Sequence, residues 1–152
     1  MIAVVQRVTR ASVTVGEEIV GQIGPGLVAL VAVTKDDAES DLKWMTRKLT
    51  ELRIFGNADK HFDLDVRAAG GSILLVSNFT VAGALRQGRR PSFDTAADAE
   101  KGAADFATLT QLLRDSGVPV ETGRFRADMT VNITNDGPVT LILDSSDSRP
   151  TA

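Results

Sequence analysis

The chain has 152 residues, which is the size of a single domain. Hydrophobic residues make up 43% of it and charged residues 24%, close to the average for soluble globular proteins. A net charge of −3 argues against a broad phosphate-binding surface, so a nucleic-acid partner would have to meet a local basic patch or be held at one end. The absence of Cys excludes disulfides, thiolate nucleophiles and Cys-ligated metals.

The apolar segments are short. The N-terminal sequence turns polar at Gln6, too early for the apolar region of a signal peptide. The longest apolar run, Leu27 to Val33, is far shorter than the roughly 20 residues that a membrane helix needs. We therefore expect a soluble, cytoplasmic chain that makes no membrane contact.

The first third of the chain predicts three strands followed by a helix. Residues 1–34 are rich in β-branched side chains and are interrupted by a Gly-Glu-Glu and a Gly-Pro-Gly turn. Apolar residues then recur at helical spacing over roughly 38–52. Asp36 or Asp37 stands where this helix needs an N-cap.

The rest of the chain predicts a buried strand, a second helix and two or three closing strands. The strand is SILLVSNFTV, and the helix covers about 95–116, with Gly117 at its C-cap. The closing strands are predicted over 119–125, 127–134 and 138–143, with a turn at Asn135-Asp136-Gly137. These elements predict one α+β domain over residues 1–144, with a mainly antiparallel, curved or barrel-like sheet and two or three helices. The polar residues 145–152 are expected to form a disordered tail.

Few catalytic devices are available. His61 is the single His and no G-x-S-x-G elbow exists, so His61 is interpreted as a surface loop residue rather than part of a triad. Asp63 and Asp65 are interpreted as a solvated loop, and metal sites built on His and Cys are excluded by count. The sequence Gly24–Ala29 matches G-x-G-x-x-A, but a strand rather than a helix follows it, so we reject a dinucleotide site. We expect no cofactor and no metal.

Three polar or basic segments remain as candidates, and each has two interpretations. Residues 77–81 end a buried strand, a rigid place to display polar groups, but such residues are also common where a strand meets a loop. Residues 135–140 favour a tight hairpin, whereas a cis Gly137-Pro138 bond is the alternative, against a base rate of about 5–6%. Residues 86–90 carry three arginines, which form either a solvated face or a phosphate contact.

Together with other short segments, these candidates carry a family resemblance. The segments are Gln6-Arg7-Val8 with Ala11-Ser12-Val13, Leu52-Arg53-Ile54-Phe55, Ser77-Asn78-Phe79-Thr80, Arg90-Pro91-Ser92-Phe93, Thr122-Gly123-Arg124-Phe125 with Ala127-Asp128-Met129, and Asn135-Asp136-Gly137-Pro138-Val139-Thr140. In this order and spacing the chain resembles the D-aminoacyl-tRNA deacylases over roughly Met1 to Leu143. One departure is Asn78, where the family usually has Gln. Asn keeps the amide but lacks one methylene, so its hydrogen bond must be re-aimed.

The resemblance implies a barrel-like α+β fold and a homodimer with active sites at the subunit interface. It implies hydrolysis of the ester of D-aminoacyl-tRNA, and of glycyl-tRNA because glycine has no side chain to reject, as translation quality control. The implied residues are Ser77, Asn78, Phe79 and Thr80 for catalysis; Gly137, Pro138, Arg7 and Met129 for substrate binding; and Arg86, Arg89 and Arg90 for tRNA phosphates at the acceptor end. Gly137-Pro138, in the cis form, would reach into the other subunit's pocket.

The implied hydrolysis needs less catalytic assistance than that of an amide, since an aminoacyl ester is already an activated acyl group. The backbone N–H groups of Phe79 and Thr80 are candidates to stabilise the oxyanion. Thr80 could act as a nucleophile or position a water, but no His stands beside it to activate it, so we favour main-chain contacts and the tRNA 2′-hydroxyl. Two alternatives stay open: a non-catalytic module that binds tRNA ends or nucleotides, which Asn78 favours, and a metal-dependent deacylase, which the ligand count disfavours.

Overall fold

The computed structural model describes residues 1–86 and 88–148. The strands are β1 (Ile2–Val15), β2 (Glu18–Ile23), β3 (Gly26–Ala32), β4 (Ser72–Ser77), β5 (Val120–Thr122) and β6 (Thr130–Asp144). The α-helices are α1 (Glu39–Glu51) and α2 (Ala99–Asp115), and Phe79–Ala82 and Ser145–Ser148 form short 3-10 helices. None of the helices in these ranges is long and apolar enough to cross a membrane.

Strand β1 organises the sheet because it pairs with three other strands, all of them antiparallel. Its first half pairs with β3 and its second half with β2, while β6 runs along its other edge. The pairs β3–β4 and β4–β5 are parallel, since α1 and α2 serve as their crossovers. The sheet is therefore mixed. The predicted α+β class is confirmed, but the two parallel pairs were not predicted.

The sheet curls until its two ends meet. Gly21 of β2 lies so close to β5 that a Cβ on it would fall 2.4 Å from the carbonyl oxygen of Thr122. A side chain at position 21 would therefore hold the ends apart. This close approach nearly closes the sheet into a barrel, as the sequence predicts.

The main core lies between the sheet and the two helices. Leu27 and Leu75 of the sheet, Met45 and Leu49 of α1, and Leu113 of α2 are fully buried in one cluster. Burial of each such side chain contributes on the order of 1.5–3 kcal/mol. This layer fixes β3, β4 and both helices relative to one another.

The first helix begins as predicted but is not capped as predicted. Neither Asp36 nor Asp37 is its cap: Ala38 occupies the N-cap position, and its N–H donates to Asp41 Oδ2 at 2.9 Å. Asp37 is buried and accepts instead from the N-terminal ammonium of Met1. The carboxylate of Asp37 therefore pairs with a buried charge of opposite sign instead of capping the helix.

The second helix starts later than predicted. It begins at Ala99 rather than near 95, and the side chain of Asp98 caps it by accepting from Lys101 N at 2.9 Å. The residues before it hydrogen-bond to the segment that follows β3, where Ala97 N donates to Val33 O at 3.0 Å. Gly117, at φ +85°, follows its end as predicted.

Strand β6 corrects the predicted closing hairpin. Asn135–Gly137 is not a turn between two strands, because the residues on both sides of it pair with β1. Val8 lies opposite Asn135 and Gln6 opposite Thr140, so only Arg7 of β1 faces the intervening residues 136–139. Those residues form a bulge that contains Gly137-Pro138. Of the strand predicted over 119–125, only Val120–Thr122 forms a strand.

The segment expected to be a polar tail from residue 145 is regular through Ser148. Ser145 is buried: its Oγ accepts from the Met1 ammonium at 2.8 Å and donates to Asp41 Oδ1 at 2.6 Å. The folded chain therefore extends past the expected boundary at 144. Residues 149–152 lie outside the described residues.

Candidate active site

A cleft of about 680 Å³ opens at the carboxyl end of β4. One wall is formed by the predicted catalytic residues Ser77, Asn78, Phe79 and Thr80. The 3-10 helix Phe79–Ala82, hereafter the cleft turn, begins where β4 ends, so its first residues are carried on a buried strand. The predicted Met129 also lines the cleft.

The polar side chains of this wall are bonded to each other. Thr80 Oγ1 donates to Asn78 Oδ1 at 2.5 Å, and the N–H of Asn78 donates to Val31 O of β3 at 2.8 Å. The sheet therefore fixes the backbone of Asn78, and the amide of Asn78 fixes the hydroxyl of Thr80. Because the hydroxyl hydrogen is used in this bond, Thr80 Oγ1 can still act toward the cleft as a hydrogen-bond acceptor.

Main-chain donors stand at the start of the cleft turn. Its hydrogen bonds run from Val81 N to Asn78 O at 3.2 Å and from Gly83 N to Thr80 O at 3.0 Å. The amides of Phe79 and Thr80 precede these bonds, and the first amides of a helix have no acceptor within it. Such a pair of donors suits an oxygen that gains negative charge.

The opposite wall comes from two segments that the sequence reasoning did not propose as site residues. One is the loop Phe125–Asp128 before β6, and the other is the first turn of α2 with Asp98 and Ala99. Arg126 in the loop has a positive φ of 61°. The signal that could have found the loop is its place in a segment that carries the family resemblance.

Glycines let this wall close on the cleft. A Cβ at Gly123 would fall 2.7 Å from Met129 Sδ, and one at Gly102 would contact the ring of Phe125 at 3.4 Å. The Phe125 ring also packs on Phe106 at 6.2 Å. Packing of Phe125 against α2 therefore joins the two segments of this wall.

The structure does not bring the other predicted substrate-binding residues to this cleft. Gly137 and Pro138 are exposed on the β6 bulge and do not line it. The Gly137-Pro138 bond is cis, which confirms the cis alternative. Arg7 lies beside the bulge, in a separate pocket of about 520 Å³ that also contains Asp136 and His61.

Arg7 ties this bulge to the rest of the fold. Its Nη1 donates to Ile54 O at 2.7 Å, and its guanidinium lies 6.0 Å from the ring centre of Phe62. Its Nε lies 3.1 Å from Asp136 Oδ2 but forms no aligned hydrogen bond, so this contact is an ion pair only. His61 is exposed, as predicted, and lies outside the cleft.

The three predicted phosphate contacts lie on an exposed loop next to the cleft turn. Residues 84–92, hereafter the arginine loop, are closed by paired hydrogen bonds between Ala84 and Ser92 at 2.8 and 2.9 Å. Arg86, Arg89 and Arg90 are all exposed, and two of them, Arg86 and Arg90, line a pocket of about 230 Å³. Among the described residues, no group of three or more His, Asp or Glu side chains lies close enough together to hold a metal ion.

Two solved structures have the same fold as this chain. A structure titled c-Myc DNA Unwinding Element Binding Protein matches with a TM-score of 0.90 and 38% identity over 95% of this chain and 98% of that one. A second, titled as a structural analysis of a probable eukaryotic D-amino acid tRNA deacylase, matches with a TM-score of 0.77 over 93% of this chain and 97% of that one. At 17% identity, this second match shows a shared fold only.

Sequence comparison identifies the family. A D-aminoacyl-tRNA deacylase of Thermotoga petrophila is 50% identical over 96% of this chain and 98% of its own length. A protein of the same name from Pelobacter propionicus is 49% identical over 95% of this chain and 99% of its own. The family model for D-Tyr-tRNA(Tyr) deacylase matches residues 4–144. The chain therefore belongs to the D-Tyr-tRNA(Tyr) deacylase family.

Proposed function

We propose that this protein hydrolyses the ester bond of D-aminoacyl-tRNA in the cytoplasm. It would thereby free tRNA that carries an amino acid of the wrong hand. The observation that carries the proposal is the cleft, in which Thr80, Asn78 and the first amides of the cleft turn converge at the end of a buried strand. The names of the relatives give the same substrate class.

In the proposed reaction, water adds to the ester carbonyl and the amides of Phe79 and Thr80 stabilise the resulting oxyanion. Collapse of the tetrahedral intermediate breaks the acyl–oxygen bond, releasing the amino acid carboxylate and the ribose hydroxyl of tRNA. No His, Lys or Glu lines the cleft among the described residues; its two carboxylates are Asp98, which caps α2, and Asp128, and the hydroxyl hydrogen of Thr80 is already donated to Asn78. In this scheme the 2′-hydroxyl of the terminal ribose assists the attacking water, and Thr80 Oγ1 positions that water.

The active unit in this proposal is a homodimer. Strand β6 pairs only with β1 among the described strands, so its other edge is open, and Ile142 on it is 75% exposed. Ile142 lies opposite Val4 of β1, and Val4 lies opposite Leu30 of β3, so these side chains form an apolar row across one face of the sheet. An open edge with an apolar face is typical of a surface that pairs with another chain.

The same edge carries Gly137 and Pro138, which we propose act in the partner's cleft. Both are exposed, and neither lines the cleft of its own subunit. Gly137 has a φ of +122°, and a Cβ there would fall 2.9 Å from Val139 N, so only Gly fits this bulge well. The carbonyls of the dipeptide would leave no room for an L side chain while admitting a D side chain or glycine. Glycyl-tRNA is accordingly a second proposed substrate.

The arginine loop is the proposed contact with tRNA phosphates. It concentrates three cations beside the cleft turn in a chain whose net charge is −3. Recognition therefore centres on the acceptor end, where a small basic patch suffices, rather than on the body of the tRNA.

The experiment that tests the function is incubation of the purified protein with D-Tyr-tRNA and L-Tyr-tRNA, each with and without EDTA. We expect rapid release of D-Tyr, slow release of L-Tyr and no effect of EDTA. Tight binding of tRNA without turnover would favour the non-catalytic module instead. Loss of turnover in EDTA that returns with added metal would favour a metal-dependent deacylase.

A further inference from the structure

Phe93 connects the arginine loop to the cleft turn. Its ring packs edge-to-face on Phe79, with the ring centres 5.1 Å apart and the planes at 75°. Phe79 is 58% exposed, so few other contacts restrain its ring. Gly83 makes room for this pair, because a Cβ there would fall 2.9 Å from Phe93 Cε1 and 2.9 Å from Thr80 O.

The backbone that follows Phe93 is hydrogen-bonded to the segment after β3 and to the cleft turn. Ala96 N donates to Phe93 O at 3.0 Å, and Ala97 N donates to Val33 O at 3.0 Å. Thr95 Oγ1 donates to Ala82 O, the last residue of the cleft turn, at 3.3 Å. Phe93 therefore projects toward the cleft turn from a rigid support.

The backbone that precedes Phe93 is the arginine loop. Ser92 closes the loop by hydrogen bonds to Ala84, and Arg90 lies only three residues before Phe93. Gly83, which the Phe93 ring contacts, directly precedes the other end of the loop. Each end of the loop is therefore one residue from the ring pair or its contact: Ser92 directly precedes Phe93, and Ala84 directly follows Gly83.

We propose that Phe93 is a positioning residue that couples RNA contact at the arginine loop to the geometry of the cleft turn. A phosphate held by the loop fixes Phe93, Phe93 fixes Phe79, and the amides at Phe79 and Thr80 are thereby aligned for the oxyanion. Binding energy from a remote part of the substrate is in this way used at the reacting centre. The inference rests on the proposed function and adds to it Phe93, the residue that connects the arginine loop to the cleft turn.

The test is steady-state kinetics of Phe93→Leu, Phe93→Tyr, Arg90→Ala and the double variant Phe93→Leu/Arg90→Ala. The substrates are D-Tyr-tRNA and the D-Tyr ester of adenosine, which has no phosphate for the loop to hold. On D-Tyr-tRNA we expect Phe93→Leu to lower kcat about tenfold, and Phe93→Tyr to restore it, because the edge-to-face pair returns. On the adenosine ester, Phe93→Leu should change kcat less than about twofold.

The double variant separates coupling from a merely structural role. Arg90→Ala should lower kcat and raise KM in the wild-type background, but only raise KM when residue 93 is Leu, because neighbours that act as a unit are not additive. If Phe93→Leu does not fold, Phe93→Met is the second variant, since it keeps a flexible apolar side chain but removes the edge-to-face ring pair. Additive effects, or equal loss on both substrates, would overturn the coupling. A wild type that leaves D-Tyr-tRNA intact would instead overturn the proposed function.

Discussion

Thr80 Oγ1 donates its hydrogen to Asn78 Oδ1 across 2.5 Å, and an amide oxygen cannot serve as the base that a nucleophilic threonine requires. We therefore expect Thr80→Ala to reduce kcat less than about tenfold, rather than by the 10²–10⁴ that general-base catalysis contributes. A tRNA ending in 2′-deoxyadenosine should be nearly inert. Single-turnover rates on both substrates check this, and rapid hydrolysis of the deoxy substrate or a trapped acyl-threonine would contradict it.

The apolar row formed by Ile142, Val4 and Leu30 predicts how the chain assembles. Wild type should sediment as a dimer at micromolar concentration, and Ile142→Glu should sediment near 16.2 kDa, because it places a charge on the row. Ile19→Glu is the matched control, since Ile19 is 59% exposed on β2, away from that edge. Equal dissociation of both variants would argue that the row is not the interface.

The arginine loop predicts a specific salt dependence. Arg90→Ala should weaken binding of D- and L-aminoacyl-tRNA alike, and the slope of log affinity against log salt should fall by about one unit for the lost phosphate contact. Arg114→Ala, at the end of α2 opposite the cleft, should leave the slope unchanged. Filter binding over a range of salt concentrations measures both. An unaltered slope for Arg90→Ala would indicate that the arginine loop is a solvated surface and not a phosphate contact.

The buried carboxylate of Asp37 predicts a large effect on stability. It accepts from the Met1 ammonium and from the backbone N–H of Thr34, the latter at 2.7 Å. Asp37→Ala should lower the free energy of unfolding by about 3–5 kcal/mol, because it removes one partner of a buried ion pair. Asp36→Ala, at the exposed neighbour, should change it by less than about 0.5 kcal/mol. Urea denaturation of the two variants distinguishes these outcomes.

Sequence patterns over short windows predicted the first three strands and the first helix. The strands in residues 1–34 and helix α1 follow from β-branched runs, turn residues and helical spacing, and each lies close to its predicted bounds. The cis alternative at Gly137-Pro138 was also available from the sequence, through the family resemblance, and is confirmed.

Long-range pairing decided what the sequence reasoning missed. Asn135–Gly137 has the composition of a hairpin turn, yet pairing with β1 on both sides converts it to a bulge. Helix α2 starts later than predicted because the residues before it hydrogen-bond to the segment that follows β3. The second wall of the cleft, Phe125–Asp128, lies over 40 residues from Thr80 in sequence, and no local spacing relates the two.

The most direct test of the proposed site is complementation between two defective subunits. Ala99→Trp fills the cleft but keeps the dipeptide, whereas Gly137→Ala keeps the cleft but strains the bulge at φ +122°. Each homodimer should be inactive toward D-Tyr-tRNA. After mixed refolding, about half of the dimers would be hybrid, each with one complete site, so activity should return to about a quarter of wild type. If both homodimers are inactive and the mixture stays inactive as well, each cleft uses the Gly137-Pro138 of its own subunit, and the proposed cross-subunit site is wrong.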